Sequence, residues 1–467
     1  MTDVAVVGGG ITGLAAAHQL IGAGLSVTVL EASPRWGGKL SPLWLDGMRL
    51  DAGAESILAR RPEGLALLAD LGLGDRVVHP TEAKPALLVG GELRRMPRSY
   101  LGVPADLGEL QELLSAEAHA RASAEPELPA PGLAHDVAIG RVVDDRFGPE
   151  VTDRLLEPLL GGVYAGHARE LSFQAVAPEL YWRFWKGGSL LYHAAALAPP
   201  EDARPVFAGL VGGVSTVVDH LVAELGRRGA DLAARTTVRS LARDRGRFRL
   251  TCGPVAARKT IMADAVLLAA PAPSSGRLMA GLAGVGRDLA ELAYASMAVV
   301  TLVVRGLAEH GSGVLVPPSE LPTVKALTYS GSKWAWVADQ AAEVWGSATE
   351  VVRASVGRHG EAAVLQVDDD ALLRRTFAEA GRIPGWERAE LVTGTVTRWG
   401  GGLPQYRVGH RGLVSHVREG LQSVPGLAVA GAAYDGIGIA ACLGSAAAAV
   451  DKLTRDLGPT GHGRIEP

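Results

Sequence analysis

The sequence predicts an α/β fold built around a discontinuous dinucleotide-binding domain, because three observations agree. The chain opens with a strand, a glycine-rich turn, a helix and a second strand. Strand–turn–helix patterns of the same type recur in the middle and near the end of the chain. Glycine accounts for 60 of the 467 residues and is concentrated in turns between apolar runs. We therefore expect other domains to be inserted within the dinucleotide-binding domain.

Composition excludes several classes of protein. The content of 48% hydrophobic and 21% charged residues is that of a globular chain. The two cysteines, Cys252 and Cys442, form no CxxC pair, so we expect neither a disulfide framework nor a metal site. A net charge of −4 without a long basic run predicts no nucleic acid partner.

The sequence also bears on location. No apolar run reaches the roughly 18 residues of a membrane-spanning helix, and the start lacks the positive region of a signal peptide. We therefore expect a cytoplasmic protein without a transmembrane segment. Peripheral contact with the inner face of the membrane stays open.

The opening unit predicts where a dinucleotide binds. We expect a strand over Val4–Val7, a helix over Leu14–Ala23 and a second strand over Leu25–Leu30. The turn GGGITG, from Gly8 to Gly13, fits the pattern G-x-G-x-x-G. Its glycines permit a tight turn, close approach to a pyrophosphate and close packing of helix on strand. The start of the helix then offers unpaired N–H groups to the anion.

Two later features favour a flavin nucleotide. Glu31, 21 residues after Gly10, closes the second strand where a ribose-binding acid is expected and favours NAD or FAD over NADP. A second glycine pair follows in RWGGKL, and then comes DAGAES. A simple NAD domain has no need of that second pair, whereas a longer, bent flavin nucleotide does. We expect the arginine and lysine of RWGGKL to neutralise the pyrophosphate.

The rest of the chain predicts a mixture of helices and strands. Residues 56–135 read as mostly helical, and Leu133–Leu160 reads as helical again. A second strand–helix unit covers Val206–Val211 and Val214–Leu225. Further strands are expected at 230–234, 238–242, 248–251, 265–269, 295–305, 350–356 and 427–430, before a helix over 440–453.

The motifs in succession resemble those of a known family. GGGITG, EA, RWGGKL and DAGAES are similar to motifs of the FAD-dependent amine-oxidase superfamily. EPLLGGVYAG from Glu157, Trp399 with the later LPQYRVGH, and YDGIGI from Tyr434 resemble motifs of the bacterial protoporphyrinogen/coproporphyrinogen oxidase family. The resemblance covers nearly the whole chain and is greatest to Gram-positive members that act on coproporphyrinogen III. Leu403 in place of Met and Ala440 in place of Pro depart from the pattern, which puts the local geometry in question.

The resemblance implies noncovalent FAD and a three-part architecture of the GR2 flavoprotein type. A discontinuous Rossmann-like FAD-binding domain would carry an inserted α+β substrate domain and a helical domain. The implied FAD-binding domain comprises 1–75, 206–272 and 396–456. The substrate-binding domain comprises 76–92, 170–205 and 273–395, and the helical domain comprises 93–169.

The resemblance also implies the cofactor contacts. The pyrophosphate turn would be Gly8, Gly9, Gly10, Ile11, Thr12, Gly13 and Leu14. Glu31 and Ala32 would meet the adenosine ribose, and Val238 the adenine. The pyrophosphate and flavin would be met by Arg35, Gly38, Lys39, Gly53, Ala54, Glu55 and Ser56, and the isoalloxazine by Trp399, Ile437, Gly438 and Ile439. No catalytic side chain or metal is expected, because the flavin N5 carries the chemistry.

The implied reaction converts coproporphyrinogen III to coproporphyrin III in haem biosynthesis, by three two-electron hydride transfers to the flavin. Dioxygen would be the acceptor and would leave hydrogen peroxide after each transfer. Arginine grips carboxylate bidentately, so Arg60 and Arg61, just after the flavin-side stretch, are the candidates for holding the propionates. A transient contact with the next haem-pathway enzyme is also expected.

Other functions stay open at this point. Protoporphyrinogen IX oxidase is the nearest alternative, since that substrate differs in having two propionates instead of four. In a flavin amine oxidase, Tyr434 and Trp399 could form an aromatic cage beside the flavin. A carotenoid desaturase would need an apolar entrance that the sequence does not mark. A flavoprotein that binds its cofactor only for structure would have no reason for a large substrate domain.

Overall fold

The computed structural model describes residues 2–129, 132–200 and 205–458, and every structural statement refers to these residues. Residues 130–131, in the predicted helical domain, and 201–204, in the predicted substrate-binding domain, lie outside the described residues.

The strands, in chain order, are β1 (Asp3–Val7), β2 (Ser26–Leu30), β3 (Pro42–Leu45), β4 (Met48–Asp51), β5 (Ile57–Leu58), β6 (Val77–Val78), β7 (Pro85–Val89), β8 (Glu92–Arg95), β9 (Ser99–Tyr100), β10 (Val103–Pro104), β11 (Phe207–Leu210), β12 (Asp231–Ala233), β13 (Val238–Asp244), β14 (Arg247–Cys252), β15 (Lys259–Ala263), β16 (Ala265–Leu268), β17 (Tyr294–Arg305), β18 (Gly313–Leu315), β19 (Val324–Tyr329), β20 (Thr349–Val356), β21 (Glu390–Pro404) and β22 (Leu427–Val429).

The helices, in chain order, are α1 (Ile11–Gly22), α2 (Pro62–Asp70), α3 (Ala116–Ser123), α4 (Ile139–Phe147), α5 (Pro149–Val151), α6 (Glu157–Tyr164), α7 (Phe173–Val176), α8 (Pro178–Trp185), α9 (Leu190–Leu197), α10 (Thr216–Arg227), α11 (Ala272–Met279), α12 (Gly286–Ala290), α13 (Ser330–Lys333), α14 (Ala335–Trp345), α15 (Asp369–Ala380), α16 (His410–Gly420) and α17 (Ile439–Leu457).

A five-stranded parallel sheet, in the order β12-β2-β1-β16-β22, joins the beginning, middle and end of the chain. β1 and β16 are apolar runs because they lie in its centre and are buried on both faces. Helices α1, α10 and α17 cover one face. The antiparallel sheet β13-β14-β15, with α11, α12 and α16, packs on the other. The predicted α/β fold with a discontinuous Rossmann-like sheet is confirmed.

Helices α1 and α17 pack side by side, and both bury alanines, including Ala16, Ala17 and Ala446. α1 follows the carboxyl end of β1, and α17 follows that of β22. Because the strands are parallel, both helices begin at the same edge of the sheet. The fold thus brings the first and last glycine motifs together.

A seven-stranded sheet, in the order β21-β17-β20-β19-β18-β7-β8, forms the second large unit. α15 packs on one face through Leu372, and α14 packs near the far ends of the strands. Helices α3 to α9 form a third unit around buried phenylalanines, among them Phe147, Phe173 and Phe184. Helix α6 joins this third unit to strands β18 and β19.

Two predicted domain boundaries do not coincide with breaks in packing. Helices α7–α9, in the stretch predicted for the substrate-binding domain, share one hydrophobic cluster with α4–α6 of the predicted helical domain. Met279 and Leu289, predicted for the substrate-binding domain, pack against Val266 and Leu268 of the parallel sheet. Packing depends on contacts between distant segments, which sequence spacing does not reveal. The domain assignment itself stays a prediction.

The expectation that residues 56–135 are mostly helical is wrong for 77–104, which form strands β6–β10. β7 and β8 make a hairpin through Gly90 and Gly91, both with positive φ, and β7 pairs in parallel with β18. That pairing joins residues more than 200 positions apart, so local patterns do not predict it. In the later part of the same stretch, helix α3 begins at Ala116, because the Ser115 side chain accepts the Ala118 N–H as its N-cap.

Candidate functional site

The first glycine turn has the geometry that its sequence predicts. Gly8 has φ +114°, a conformation that side chains disfavour. A Cβ on Gly13 would lie 1.9 Å from the Gly8 carbonyl oxygen. Gly8 therefore permits the turn, and Gly13 lets α1 pack on the end of β1. These two glycines shape the turn whether or not a ligand is bound.

Gly10 leaves the start of α1 open to a ligand. It is the N-cap residue, makes no side-chain capping bond, and is followed by no acidic residue in the first turn. The N–H groups at the start of α1 therefore lack intrahelical partners. Gly38 faces Gly10, and the nearest atom to a Cβ built on Gly10 is the Gly38 Cα at 4.0 Å. Two bare backbones thus flank a helix N-terminus, which suits a pyrophosphate.

Glu31 lies at the end of β2, where its carboxylate accepts the N–H groups of Gly9 and Ser33, each at 2.7 Å. The N–H of Thr236 donates to the Glu31 carbonyl at 2.7 Å, which brings the start of β13 to this turn. The structure therefore assembles Glu31, Ala32 and Val238 at one end of the glycine turn. Because each carboxylate oxygen has more than one acceptor site, Glu31 can also accept hydrogen bonds from ribose hydroxyls.

The RWGGKL segment lies against the same turn. The Gly37 N–H donates to the Gly9 carbonyl at 2.7 Å. Arg35 donates to the carbonyls of Trp36 at 3.2 Å and Gly38 at 2.9 Å, so its guanidinium stiffens its own loop. Burial lowers the pKa of Lys39, and no carboxylate of the described residues lies within 4 Å of its ammonium. An anion such as a pyrophosphate would supply the missing partner.

The stretch Gly53–Ser56 is fixed by close contacts. A Cβ on Gly53 would lie 1.9 Å from the Lys39 carbonyl oxygen and 3.2 Å from the Trp399 ring. The Ala54 N–H donates to the Lys39 carbonyl at 3.2 Å, and the Trp399 indole N–H donates to the Ala52 carbonyl at 3.3 Å. Lys39, Gly53 and Trp399, which are far apart in sequence, therefore meet at one place.

Glu55 anchors this stretch rather than presenting a free carboxylate. Its oxygens accept the Lys333 ammonium at 2.6 Å and the Arg353 guanidinium. Arg353 also donates to the Gly53 carbonyl. Burial alone would raise the pKa of Glu55, but the two cations lower it to about 2. The carboxylate stays ionised and holds the loop against β20.

Lys333 and Arg353 support the candidate site through Glu55, and the sequence analysis missed both. Arg353 stands between the apolar residues Val352 and Ala354 in the largely buried strand TEVVRASV. A charge in such a run predicts a buried partner, and this signal could have identified it. Lys333 follows no comparable pattern, because its role depends on where α13 meets the loop around Glu55.

The C-terminal glycine turn completes the site. Gly438 is the N-cap of α17 and, like Gly10, makes no side-chain capping bond. The Tyr406 hydroxyl donates to the Ala432 carbonyl at 2.6 Å and accepts the Gly436 N–H at 2.9 Å, which fixes the turn before the helix. A second uncapped helix start, carrying Ile437 and Ile439 on either side, therefore lies beside the first.

His410 belongs to the support of that turn. Its ring stacks on Tyr406 with 3.9 Å between centroids. Burial lowers the pKa of His410 to about 4, so the ring is neutral at pH 7. Among the described residues, no group of three or more His, Cys, Asp or Glu side chains could hold a metal ion.

Of the two candidate arginines, Arg61 lies beside the last helix. Arg61 pairs with Glu63 and lies near Gly444 of α17, where a Cβ would be 3.6 Å from the guanidinium. The neighbouring Arg60 is exposed. Both remain candidates for binding substrate carboxylates.

Partly exposed apolar side chains occur on the helical unit, on the seven-stranded sheet and on the last glycine turn. Val163 of α6 is 44% exposed. Leu315 of β18 would be 3.7 Å from a Cβ on Gly162, and Leu315 and Ile437 are both only partly buried against the helical cluster. These side chains come from three units and offer apolar surface of the kind that a large apolar ligand buries.

A family model described as flavin containing amine oxidoreductase matches residues 11–454. This chain belongs to that family. Membership confirms the predicted resemblance, and the chain is a flavin-dependent oxidoreductase. The residues present fit such a cofactor. The facing glycines, the start of α1 and Lys39, which has no carboxylate partner among the described residues, are groups that suit a dinucleotide pyrophosphate.

Individual relatives are similar to this chain along its whole length. A Mycobacterium tuberculosis protein named coproporphyrinogen III oxidase is 37% identical over 464 residues, covering 97% of each chain. The protoporphyrinogen oxidase of Bos taurus is 28% identical and covers 95% of this chain and 96% of its own. A crystal structure from Exiguobacterium sp. 255-15, named as a candidate protoporphyrinogen oxidase, superposes with a TM-score of 0.83 at 29% identity, covering 98% and 99%.

Proposed function

We propose that this chain is an FAD-dependent oxidase that converts coproporphyrinogen III to coproporphyrin III. The observation that carries the proposal is the full-length identity of 37% to a relative of that name. The overall reaction consumes three O₂ and yields three H₂O₂ as six hydrogens leave the macrocycle. Bound FAD supplies hydride acceptance from a saturated carbon and re-oxidation by dioxygen.

The protein's own residues would bind the cofactor, orient the flavin ring and enclose the macrocycle. Glu31 would receive the ribose hydroxyls, and Lys39 with the start of α1 would hold the pyrophosphate. Trp399 and the stretch from Gly53, fixed by Arg353, would set the position of the flavin ring. The partly open apolar residues Val163, Leu315 and Ile437 would receive the macrocycle and keep water from the reacting carbon.

The substrate arms need cations. Arg61 lies beside α17, and its partner Glu63 is only partly buried, so a propionate could share the guanidinium. Arg60 is exposed and free to turn toward a second arm. No side chain is required as an acid or base, because pyrrole protons can leave to solvent.

Anaerobic titration tests this function. Coproporphyrinogen III, added without oxygen to the FAD-loaded protein, should bleach the visible flavin absorbance, and admission of air should restore it. Steady-state rates with coproporphyrinogen III and protoporphyrinogen IX should favour the former. Bleaching by an amine but by neither porphyrinogen would contradict the proposal, as would a clear preference for protoporphyrinogen.

Protoporphyrinogen IX oxidase is the second candidate. The similarity to the Bos taurus enzyme and the TM-score of 0.83 to the Exiguobacterium structure favour it. The identity of 37% to the mycobacterial relative against 28% to the bovine one places coproporphyrinogen first.

Location and partners are part of the proposal. No helix in the described part of the chain combines the length and apolarity needed to cross a membrane. Helix α8 exposes Trp182 and Trp185, whose rings meet edge to face, and Lys186 follows it. Aromatic and cationic residues together suit a lipid interface. We expect the enzyme in the cytoplasm, with α8 touching the inner face of the membrane and the product passing on through a transient contact with the next haem-pathway enzyme.

Sedimentation with vesicles of anionic phospholipid tests the membrane contact. The protein should pellet with the vesicles, and Trp182→Ala with Trp185→Ala should abolish this while leaving FAD content unchanged. Equal sedimentation of both proteins would contradict the expected contact.

A further inference from the structure

Two cationic side chains are buried at one end of the seven-stranded sheet. Lys325 of β19 is 1% exposed, and Arg358, just after β20, is 3% exposed. The Lys325 ammonium has no hydrogen-bond partner among the described residues. In the same described part of the chain, the one carboxylate within 4 Å of the Arg358 guanidinium is that of Glu361, at 3.7 Å. Lysine and arginine are almost never fully buried unless they are paired.

The buried charges of Lys325 and Arg358 favour the binding of an anion between them. Burial, reinforced by the charge of Arg358, lowers the pKa of Lys325 to about 7. Glu361 is 44% exposed, so its negative charge offsets the lowering of the Lys325 pKa only in part. A carboxylate that entered between the two cations would regain the interactions that both side chains lose on burial.

The position of the pair relates it to the expected flavin ring. Val324, which precedes Lys325, pairs with Val356 of β20, and Val356 pairs with Ala298 of β17. Ala298 pairs in turn with Arg398, the residue before Trp399. Three strand spacings of roughly 4.8 Å place Val324 about 14 Å from Arg398, and Lys325 and Trp399 are the next residues on these two strands. That separation is comparable with the width of a tetrapyrrole and its arms.

The pair also lies where the sheet meets the helical unit. The N–H of His359, next to Arg358, donates to the Ala165 carbonyl at the end of α6 at 2.7 Å. Val163, two residues earlier in the chain, is 44% exposed. Arg61 lies beside α17. A substrate held between these elements would therefore meet cations on two walls.

We propose that Lys325 and Arg358 form a second carboxylate subsite, which binds a propionate arm that coproporphyrinogen III has and protoporphyrinogen IX lacks. This inference rests on the proposed function and names the residues that set its substrate preference. One cationic wall is enough for two neighbouring arms, whereas four arms around a ring require cations on a second wall. The pair supplies that second wall.

Titration of the FAD-loaded protein with porphyrins tests the subsite. Coproporphyrin III and protoporphyrin IX, which are stable in air, serve as probes, and their fluorescence reports binding. Lys325→Met should raise the Kd for coproporphyrin by about 10- to 100-fold, as expected for a lost charge-assisted hydrogen bond. The Kd for protoporphyrin should not change. Lys259→Met, the same change at an exposed position on β15, is the matched control and should alter neither Kd.

Two further variants keep the test decisive. Lys325→Arg retains the positive charge and should preserve coproporphyrin affinity, including when Lys325→Met fails to fold. Glu361→Gln should leave coproporphyrin affinity unchanged or increase it, because a competing carboxylate is removed. If Glu361 is instead the partner of Lys325, Glu361→Gln will lower the melting temperature and Lys325→Met will leave the coproporphyrin Kd unchanged, which overturns the proposal.

The remaining outcomes separate this inference from the proposed function. Equal loss of affinity for both porphyrins in Lys325→Met overturns the subsite assignment. If the unmodified enzyme oxidises coproporphyrinogen and Lys325→Met keeps its full preference over protoporphyrinogen, only the subsite fails. If the unmodified enzyme oxidises neither porphyrinogen, the proposed function fails first.

Discussion

Arg353 donates a hydrogen bond to the main-chain carbonyl of Gly53, from a strand of the seven-stranded sheet to the loop beside the glycine turn. Because the same guanidinium pairs with Glu55, one side chain ties the expected flavin loop to the sheet that would carry the substrate. The distance between cofactor and substrate therefore depends on a residue that need not touch either.

Arg353→Met should weaken FAD binding. The substitution leaves Glu55 buried with only Lys333 as partner, and breaking such a buried pair costs about 3–5 kcal/mol. We expect a lower melting temperature and FAD content below one per chain by visible absorbance. Arg305→Met, which removes a bond to the Trp345 carbonyl at the far end of the same sheet, is the control and should retain its FAD. Full FAD content in Arg353→Met would contradict this role.

Gly10→Val and Gly13→Val should fail in different ways. A Cβ on Gly10 meets nothing closer than 4.0 Å and its backbone is extended, so Gly10→Val should fold but bind no FAD. A Cβ on Gly13 would lie 1.9 Å from the Gly8 carbonyl oxygen, so Gly13→Val should not fold stably. Circular dichroism and FAD absorbance distinguish the two. Stoichiometric FAD in Gly10→Val would refute the assignment of the cofactor to this turn.

Tyr406→Phe should loosen the turn before α17. The hydroxyl bridges the Ala432 carbonyl and the Gly436 N–H, and the loss of a hydrogen bond of this kind costs about 0.5–1.5 kcal/mol. We expect a lower melting temperature and a shifted visible flavin spectrum. Tyr192→Phe, at a side chain that is 63% exposed, should change neither. An unaltered visible spectrum in Tyr406→Phe would contradict the prediction that this turn contacts the flavin.

His410 should make the protein sensitive to acid. Its pKa is about 4 in the folded chain against 6.5 for the free side chain, so the unfolded chain binds more protons between these values. The free energy of unfolding therefore decreases by about 3 kcal/mol as the pH falls from 6.5 to 4. His410→Phe removes this loss, so its melting temperature should fall less than that of the unmodified protein over that range. Parallel pH profiles for the two proteins would contradict the prediction.

Much of the site could be predicted from sequence because its features are local. The glycines at 8, 10 and 13 form the turn between one strand and the next helix, and Glu31 closes the adjoining strand. Such spacing is a property of neighbouring residues and survives in any tertiary context. The hairpin of β7 and β8 could not be predicted, since its partner β18 lies more than 200 residues away.

By itself, the sequence predicted a discontinuous α/β domain with glycine turns near both of its ends and a flavin cofactor, because short backbone motifs at strand ends are local features. Only the tertiary structure decided which charges support the site. Glu55 is an anchor with Arg353 and Lys333 as its partners, whereas the Lys325 ammonium has no hydrogen-bond partner in the part of the chain that the structure describes. Electrostatic partnership depends on burial and on distances across separate sheets, and neither is present in a linear order of residues.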